Sequence, residues 1–264
     1  EELNFKYDPL LKIILHNKVI LIKTPFLRKS FQPPCCEVTP PLFGGPSDSV
    51  ELGGMSKEEL KRMPKVELHC HLELAFRKAT LRGWALDKGM EVTRAKDFDR
   101  EFLIKSPMDD LPSVLHKFLN TRDVIDTEAK VERLTFEACE DMFLLSNVRI
   151  LELRYAPSFL LDAHPTMNAD RMLEAILRGM ARAEAAYPMA VGLIGLLQRI
   201  KSVEDNAYWC DWILERKSQF VGMDLADDEV SYPASPFAPL FQKAKVQGLG
   251  ITVHAGEPHV SGAA

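Results

Sequence analysis

What this chain lacks narrows its function before any motif is read. Its 33 Lys and Arg are outnumbered by 38 Asp and Glu, giving a formal net charge of -5, and no stretch is dense in Lys or Arg. A nucleic-acid backbone is recognised through such a basic stripe, so no nucleic-acid partner is expected and a small molecule is. Long apolar runs are also missing. The most apolar early stretch, Ile13 to Ile22, is interrupted by Lys18 and flanked by Lys12 and Lys23. A membrane-spanning helix needs about 20 mostly apolar residues, so no membrane span is expected. Lys23, Arg28 and Lys29 follow where a secretory cleavage site needs small residues, so no signal peptide is expected. The five cysteines, Cys35, Cys36, Cys70, Cys139 and Cys210, include no CxxC pair. Their odd number and scatter do not suggest a disulfide framework, and a reducing, cytoplasmic compartment is expected.

Internal repeats are absent too, and compositional bias is confined to one region. Between Lys23 and Gly54 stand six prolines and four glycines, a density that denies both helix and central strand. Residues 1–54 are therefore expected to be a largely irregular tail or linker. Order is expected from Met55, because Ser56-Lys57-Glu58-Glu59 is a capping-box pattern that opens a helix.

From there short apolar strands alternate with longer helical stretches. Strands are expected at Val66–His71, Arg149–Tyr155, Ala190–Leu196, Phe220–Leu225 and Gly250–His254, with helices near Asn168–Ala186, Val203–Lys217 and Phe237–Gln247. In the helix after Asn168, Met172, Leu173, Ile176, Leu177, Met180 and Ala183 fall on one face at the helical period. Alternation of this kind means an α/β fold, either an open doubly wound sheet or a closed barrel, and periodicity does not choose.

Two strand ends carry the chemistry. In Glu67-Leu68-His69-Cys70-His71 the period of 2 sends His69 and His71 to the same face. Paired imidazoles are poor core material, since each needs a polar partner, but they suit zinc, which binds His nitrogen. HxH by itself is also common by chance. Ile251-Thr252-Val253-His254-Ala255-Gly256-Glu257 repeats the design, a strand ending in a histidine with an acid three residues on. In a barrel all strand C-termini meet at one rim, so His254 joins the other two as a metal ligand and Glu257 stands by as a proton carrier. Singly, His254 reads equally well as a core histidine and Glu257 as a solvated loop acid; the joint occurrence favours metal.

Pro64-Lys65-Val66-Glu67-Leu68-His69-Cys70-His71-Leu72-Glu73 and Thr252-Val253-His254-Ala255-Gly256-Glu257 closely resemble the adenosine deaminase family. Leu153-Arg154-Tyr155-Ala156-Pro157 and Val221-Gly222-Met223-Asp224-Leu225-Ala226 are similar to two further blocks of it. The resemblance covers about Met55 to Ala264 and implies the first five units of a (β/α)8 TIM barrel over residues 55–264. It also implies Zn2+ on His69, His71 and His254, with Glu257 protonating the purine ring while a water-derived nucleophile attacks C6 of adenine. The implied function is hydrolytic deamination of adenosine, or a related aminopurine nucleoside, to inosine and ammonia in purine salvage. His71, Glu73 and Asp227 are the implied substrate contacts, Glu73 toward the ribose 5′-hydroxyl, and Leu115 and Phe118 resemble apolar lid residues, a position in which ordinary helix core reads equally well.

The chain departs from the family pattern in three places. Asp227 stands where a glycine amide normally meets the purine, which crowds that approach. Leu74 replaces the usual glycine after the ribose-contacting acid, and with Ala75 and Phe76 it reshapes the sugar pocket. The family's later water-orienting histidine and late zinc-binding aspartate have no counterpart before Ala264. The chain is accordingly expected to be a fragment or incomplete gene model with little or no activity as given. Competing readings are a deaminase of adenine, a nucleotide or a thio-substituted nucleoside, and a catalytically inactive binding module. His71-Leu72-Glu73 also matches half of the H-x-E and P-C-x-x-C signature of another zinc deaminase class, whose second half is absent. Oligomeric state is not legible.

Overall fold

The computed structural model describes residues 11–15, 18–22, 56–105 and 111–256. The chain divides into two units, Glu1–Ser49 and Val50–Ala264. In the first, Leu11–Leu15 (β1) and Lys18–Ile22 (β2) pair antiparallel, with Leu11 opposite Ile22 and Leu15 opposite Lys18. Both strands are rich in β-branched residues, which favour the pleated surface, so the segment expected to be largely irregular carries one hairpin. Its Pro/Gly-rich part lies outside the described residues.

The second unit opens with helix α1 (Lys57–Arg62), capped as the sequence predicts. The Glu59 amide donates to Ser56 Oγ at 3.2 Å and the Ser56 amide to the Glu59 carboxylate at 2.8 Å. Then follow β3 (Lys65–His71), a 3-10 turn at Leu72–Leu74, α2 (Lys78–Asp87), α3 (Ala95–Phe102), α4 (Leu111–Val124) and α5 (Glu128–Ser146). The regular alternation continues through β4 (Val148–Tyr155), α6 (Pro157–Ala163), α7 (Ala169–Ala186), β5 (Ala190–Gln198), α8 (Val203–Glu215), β6 (Gly222–Ala226), α9 (Ala238–Val246) and β7 (Gly250–Ile251). The boundaries move by a few residues from the sequence reading. The largest difference is at β7, yet the Thr252 and His254 amides still donate to Met223 and Leu225 carbonyls at 3.0 and 2.9 Å, so ladder-like pairing reaches His254.

The five strands are parallel and lie in the order β3-β4-β5-β6-β7. Two observations resolve the choice left open by periodicity. The order follows the sequence with no reversal, whereas a doubly wound sheet reverses at a switch point. In addition, β3 and β7 would stand about 19 Å apart in a flat sheet, at 4.7–4.9 Å per strand, yet the imidazoles they carry touch at 2.7 Å. The sheet therefore curls as a barrel wall does, and the unit is a five-strand arc of a (β/α) barrel. Along the two edge strands of this arc Leu68, Ile251 and Val253 are exposed.

Helices cover the outer face. Met172, Leu173, Ile176, Met180 and Ala183 of α7 are buried against the sheet and Leu177 packs beside them, as the periodicity predicts. Asn168 caps this helix through the amides of Asp170 and Arg171. Alternate residues of β4 show both faces of the wall: Leu151, Leu153 and Tyr155 are buried in the helix-packed core, while Arg154 turns to the inside. Cys70, Cys139 and Cys210 are free and buried, and burial pushes their thiols up to about 12, 12 and 11. They are inert packing residues. Among the described residues no helix is long and apolar enough to cross a membrane.

Candidate metal centre

The inner rim of the arc is built from strand ends. On β3, Cys70 pairs in register with Leu153 and His71 with Arg154, so Cys70 faces the helices and His71 faces the inside with Arg154. One extra residue stands between Glu67 and Cys70 relative to β4. Such a bulge bends a strand and re-aims its side chains; here the Glu67 carboxylate accepts the His69 amide at 2.8 Å. His69 still arrives beside His71, as simple alternation predicts, with Nε2 atoms 3.3 Å apart. His254, at the end of the β7 ladder, completes the set: its Nε2 lies 2.7 Å from His69 Nε2 and 2.9 Å from His71 Nε2.

This convergence fits a metal ion. Zn–N bonds of 2.0–2.1 Å at tetrahedral angles put two ligand nitrogens about 3.3 Å apart, and the three observed separations run from 2.7 to 3.3 Å. Protonation states fit as well. Asp224 Oδ2 lies 2.9 Å from His254 Nδ1, and because a carboxylate only accepts, Nδ1 carries the hydrogen and Nε2 presents its lone pair inward. Burial, reinforced by the neighbouring His254 and His69, lowers His71 to about 4, so it is neutral at neutral pH. Neutral imidazoles aimed at one point repel through their lone pairs unless a cation sits between them.

Asp224 does more than orient one ring. It is fully buried, and its Oδ2 also accepts from Arg154 Nε at 2.7 Å, while Arg154 Nη1 donates to the Leu68 carbonyl. Burial alone would raise the Asp224 carboxyl, but the hydrogen bonds from His254 and Arg154, together with the Arg154 charge, outweigh it and hold it below the ordinary value. A single chain of contacts thus ties β6 to β4, β3 and β7. Arg199 adds a second brace, donating to the carbonyls of Tyr232 and His254. Neither Asp224, Arg154 nor Arg199 is assigned a role by sequence reasoning. The signal that was available is a charged residue flanked by apolar ones inside a strand, Met223-Asp224-Leu225 and Leu153-Arg154-Tyr155.

The three histidines open into a cavity of about 600 Å³, within the range of small-molecule sites. Leu115 and Phe118 of α4 line it, as do Leu74, Glu73 and Asp227. Glu73 is buried, and its Oε1 accepts the Ala156 amide at 2.7 Å. Burial pushes its carboxyl up to about 7, with the charge of Asp227 adding to the rise. Asp227 has φ +82°, a left-handed conformation that favours glycine and that Asp adopts at a cost of about 1–2 kcal/mol. Its Oδ2 accepts from Gln198 Nε2 at 3.1 Å, and Gln198 Oε1 in turn accepts from Ser158 Oγ at 2.7 Å. Gly256, two residues after His254, also has a positive φ, +76°, which its missing side chain permits. Glu257, the expected proton carrier, lies outside the described residues.

A family model described as Adenosine deaminase matches residues 64–263. This chain belongs to the adenosine deaminase family. It is 30% identical over 218 residues to the adenosine deaminase of Plasmodium falciparum, covering 79% of this chain and 58% of that protein. It is 29% identical over 210 residues to the adenosine deaminase of Lactococcus lactis, with coverages of 77% and 57%. Among solved structures, the arabidopsis N6-mAMP deaminase matches with a TM-score of 0.65 at 29% identity, over 76% of this chain and 61% of that one. The chain therefore spans less than two thirds of the length of the family members it matches. These relatives are named for a nucleoside substrate in two cases and a nucleotide in the third, so family membership by itself leaves the substrate open.

Proposed function

We propose that this protein is a zinc-dependent deaminase of adenosine or a closely related aminopurine nucleoside. The observation that carries the reading is the meeting of three imidazole nitrogens from opposite edges of the arc, one of them fixed by the buried Asp224. His69, His71 and His254 would hold the ion, and bound zinc lowers the pKa of water enough to supply a nucleophile at neutral pH. The remaining chemistry falls to the chain. Glu257, three residues beyond His254, delivers a proton to a ring nitrogen, which makes C6 electrophilic. The water oxygen bonds to C6, the C6–N bond breaks, and adenosine plus water becomes inosine plus ammonia. Asp224 keeps His254 in the one tautomer that ligates, and Arg154 keeps Asp224 in place. Glu73 faces the sugar side of the substrate, Asp227 stands where the purine is met, and Leu115 and Phe118 exclude water above the pocket. Zinc-loaded protein mixed with adenosine is the test, read as the ultraviolet change on inosine formation. Zinc-dependent conversion above background that disappears in His254→Ala is expected. Slow conversion is enough, because the sequence predicts little or no activity for the chain as given; protein that holds zinc yet neither converts nor binds an aminopurine nucleoside would overturn the reading.

A further inference from the structure

The outer side of the arc carries a second cavity, of about 620 Å³, that the proposed reaction does not use. The connector from α6 into α7 and one face of α8 form it, and none of its lining residues lines the histidine cavity. A helix on the outside of a barrel ordinarily turns polar side chains to solvent. Helix α8 instead sets three aromatic rings along the groove: Tyr208 meets Trp209 edge to face at 5.0 Å between centroids, and Trp209 meets Trp212 in the same way at 5.7 Å. Tyr208 is 64% exposed, so the row opens to solvent. Exposed Tyr beside Trp is the composition of surfaces by which proteins recognise one another.

Charge is one-sided there too. Asp162, Asp170, Asp211 and Glu215 line the groove, against Arg216 as the one basic lining residue among the described residues. Asp162 and Asp211 pair with Lys201 and Lys243, which stand outside the lining. Those pairs are partly exposed, and exposed lysine pairs are weak enough to exchange. Arg216 itself shows which cation this surface holds. Its guanidinium lies over the Trp212 ring, 4.6 Å from the centroid, while its Nε lies 2.8 Å from Asp170 Oδ1. The Trp212 indole nitrogen donates to the same oxygen at 3.1 Å and so fixes it. One turn earlier on α8 the same parts recur, because Tyr208 and Asp211 stand three residues apart and are therefore neighbours on the helix surface.

We propose that this groove is an interaction surface for an arginine-bearing segment of a partner protein. The carboxylates set the sign of the occupant's charge and the rings set its type. A guanidinium is planar, so it stacks on an aromatic face and donates in a fork to a carboxylate at once, whereas a lysine ammonium is a compact, strongly hydrated point charge. In the proposed contact the arginine lies against Tyr208 and takes the place of Lys243 at Asp211. Tyr208, Asp211, Trp212 and Glu215 occupy the i, i+3, i+4 and i+7 positions of one helix face, about 10 Å long. That is longer than a single guanidinium and suits a stretch of peptide.

Fluorescence polarisation of a labelled Gly-Ser-Arg-Gly-Arg-Ser-Gly peptide titrated with the full chain tests this, beside the same peptide with lysine or with glutamine in place of both arginines. The arginine peptide should bind saturably, the lysine peptide about 10-fold more weakly, and the glutamine peptide not at all. Tyr208→Ser and Asp211→Asn, both at exposed positions, should each weaken binding of the arginine peptide by roughly 5–10-fold, while zinc binding and the circular dichroism spectrum stay as in wild type. Absence of saturable binding, equal affinity for the arginine and lysine peptides, or variants that bind as wild type does would overturn the proposal. Free arginine that displaces the peptide at equal molar concentration would overturn it as well, by making the groove a small-ligand site.

Discussion

Replacing Asp224 with Asn separates the two roles that the buried Arg154–Asp224–His254 chain combines. The change keeps shape and leaves an acceptor, but it removes the negative charge beside a guanidinium that is 5% exposed. Breaking a buried ion pair by removing one partner costs about 3–5 kcal/mol, because the other charge is left uncompensated. The low end applies here, since Arg154 keeps its bond to the Leu68 carbonyl. For a unit of this size a loss of about 3 kcal/mol lowers Tm by roughly 6–12 °C. Independently, His254 loses the carboxylate that fixes its Nδ1 hydrogen, a change that typically costs 10–100-fold in metal affinity. Arg154→Met is the control. It strands the Asp224 charge and should destabilise comparably, but it leaves the 2.9 Å contact to His254, so zinc affinity should fall by less than about 10-fold. Differential scanning calorimetry gives the first quantity and competition with a chromophoric zinc chelator gives the second. Equal zinc affinities for Asp224→Asn and wild type would refute the orienting role and leave Asp224 purely structural.

Three further outcomes are expected. Glu73 has a folded pKa of about 7 against an ordinary 4.5, so the folded state binds its proton more tightly and stability is lost as pH rises between these values. Glu73→Gln should therefore match wild type in Tm near pH 4.5 and exceed it at pH 8 by the equivalent of about 3 kcal/mol; a gain that does not vary with pH would show that Glu73 is not a costly buried acid. Glu257→Gln should bind zinc as wild type does and lose turnover, as measured by metal analysis beside the adenosine assay, and undiminished turnover would remove it from the proton-carrier role. A chain beginning at Met55 should keep the Tm of the whole, because the capping box of α1 starts the first helix of the second unit there; loss of solubility or of several degrees in Tm would assign residues 1–54 a structural part.

Local signals carried far in this sequence because the second unit is made of repeated local decisions. The capping box at Ser56 and the apolar face of α7 are each written in a few adjacent residues, and each appears where the pattern puts it. The histidines were legible for the same reason: alternation along β3 and the ladder position of His254 depend on strand geometry alone. What periodicity left undecided was whether the sheet closes, since curl is set by how strands pack and twist together rather than by any one of them. The supporting residues were harder. Asp224, Arg154 and Gln198 act through partners 29 to 86 positions away, and a charged or amide side chain inside an apolar strand announces burial without naming its partner. Asp227 shows the limit most clearly. Its sequence context marks it as a departure from a glycine, but only the backbone angle and the bond from Gln198 reveal that the carboxylate is deliberately held.

The central claim is that His69, His71 and His254 form one metal centre, and X-ray absorption at the zinc edge of protein loaded with a single equivalent tests it most directly. The account predicts tight binding of one zinc per chain, with three imidazole nitrogens at about 2.0–2.1 Å and no sulfur, and loss of that signature in His254→Ala. Sulfur at about 2.3 Å, or an unchanged spectrum in His254→Ala, would place the metal elsewhere and contradict the account.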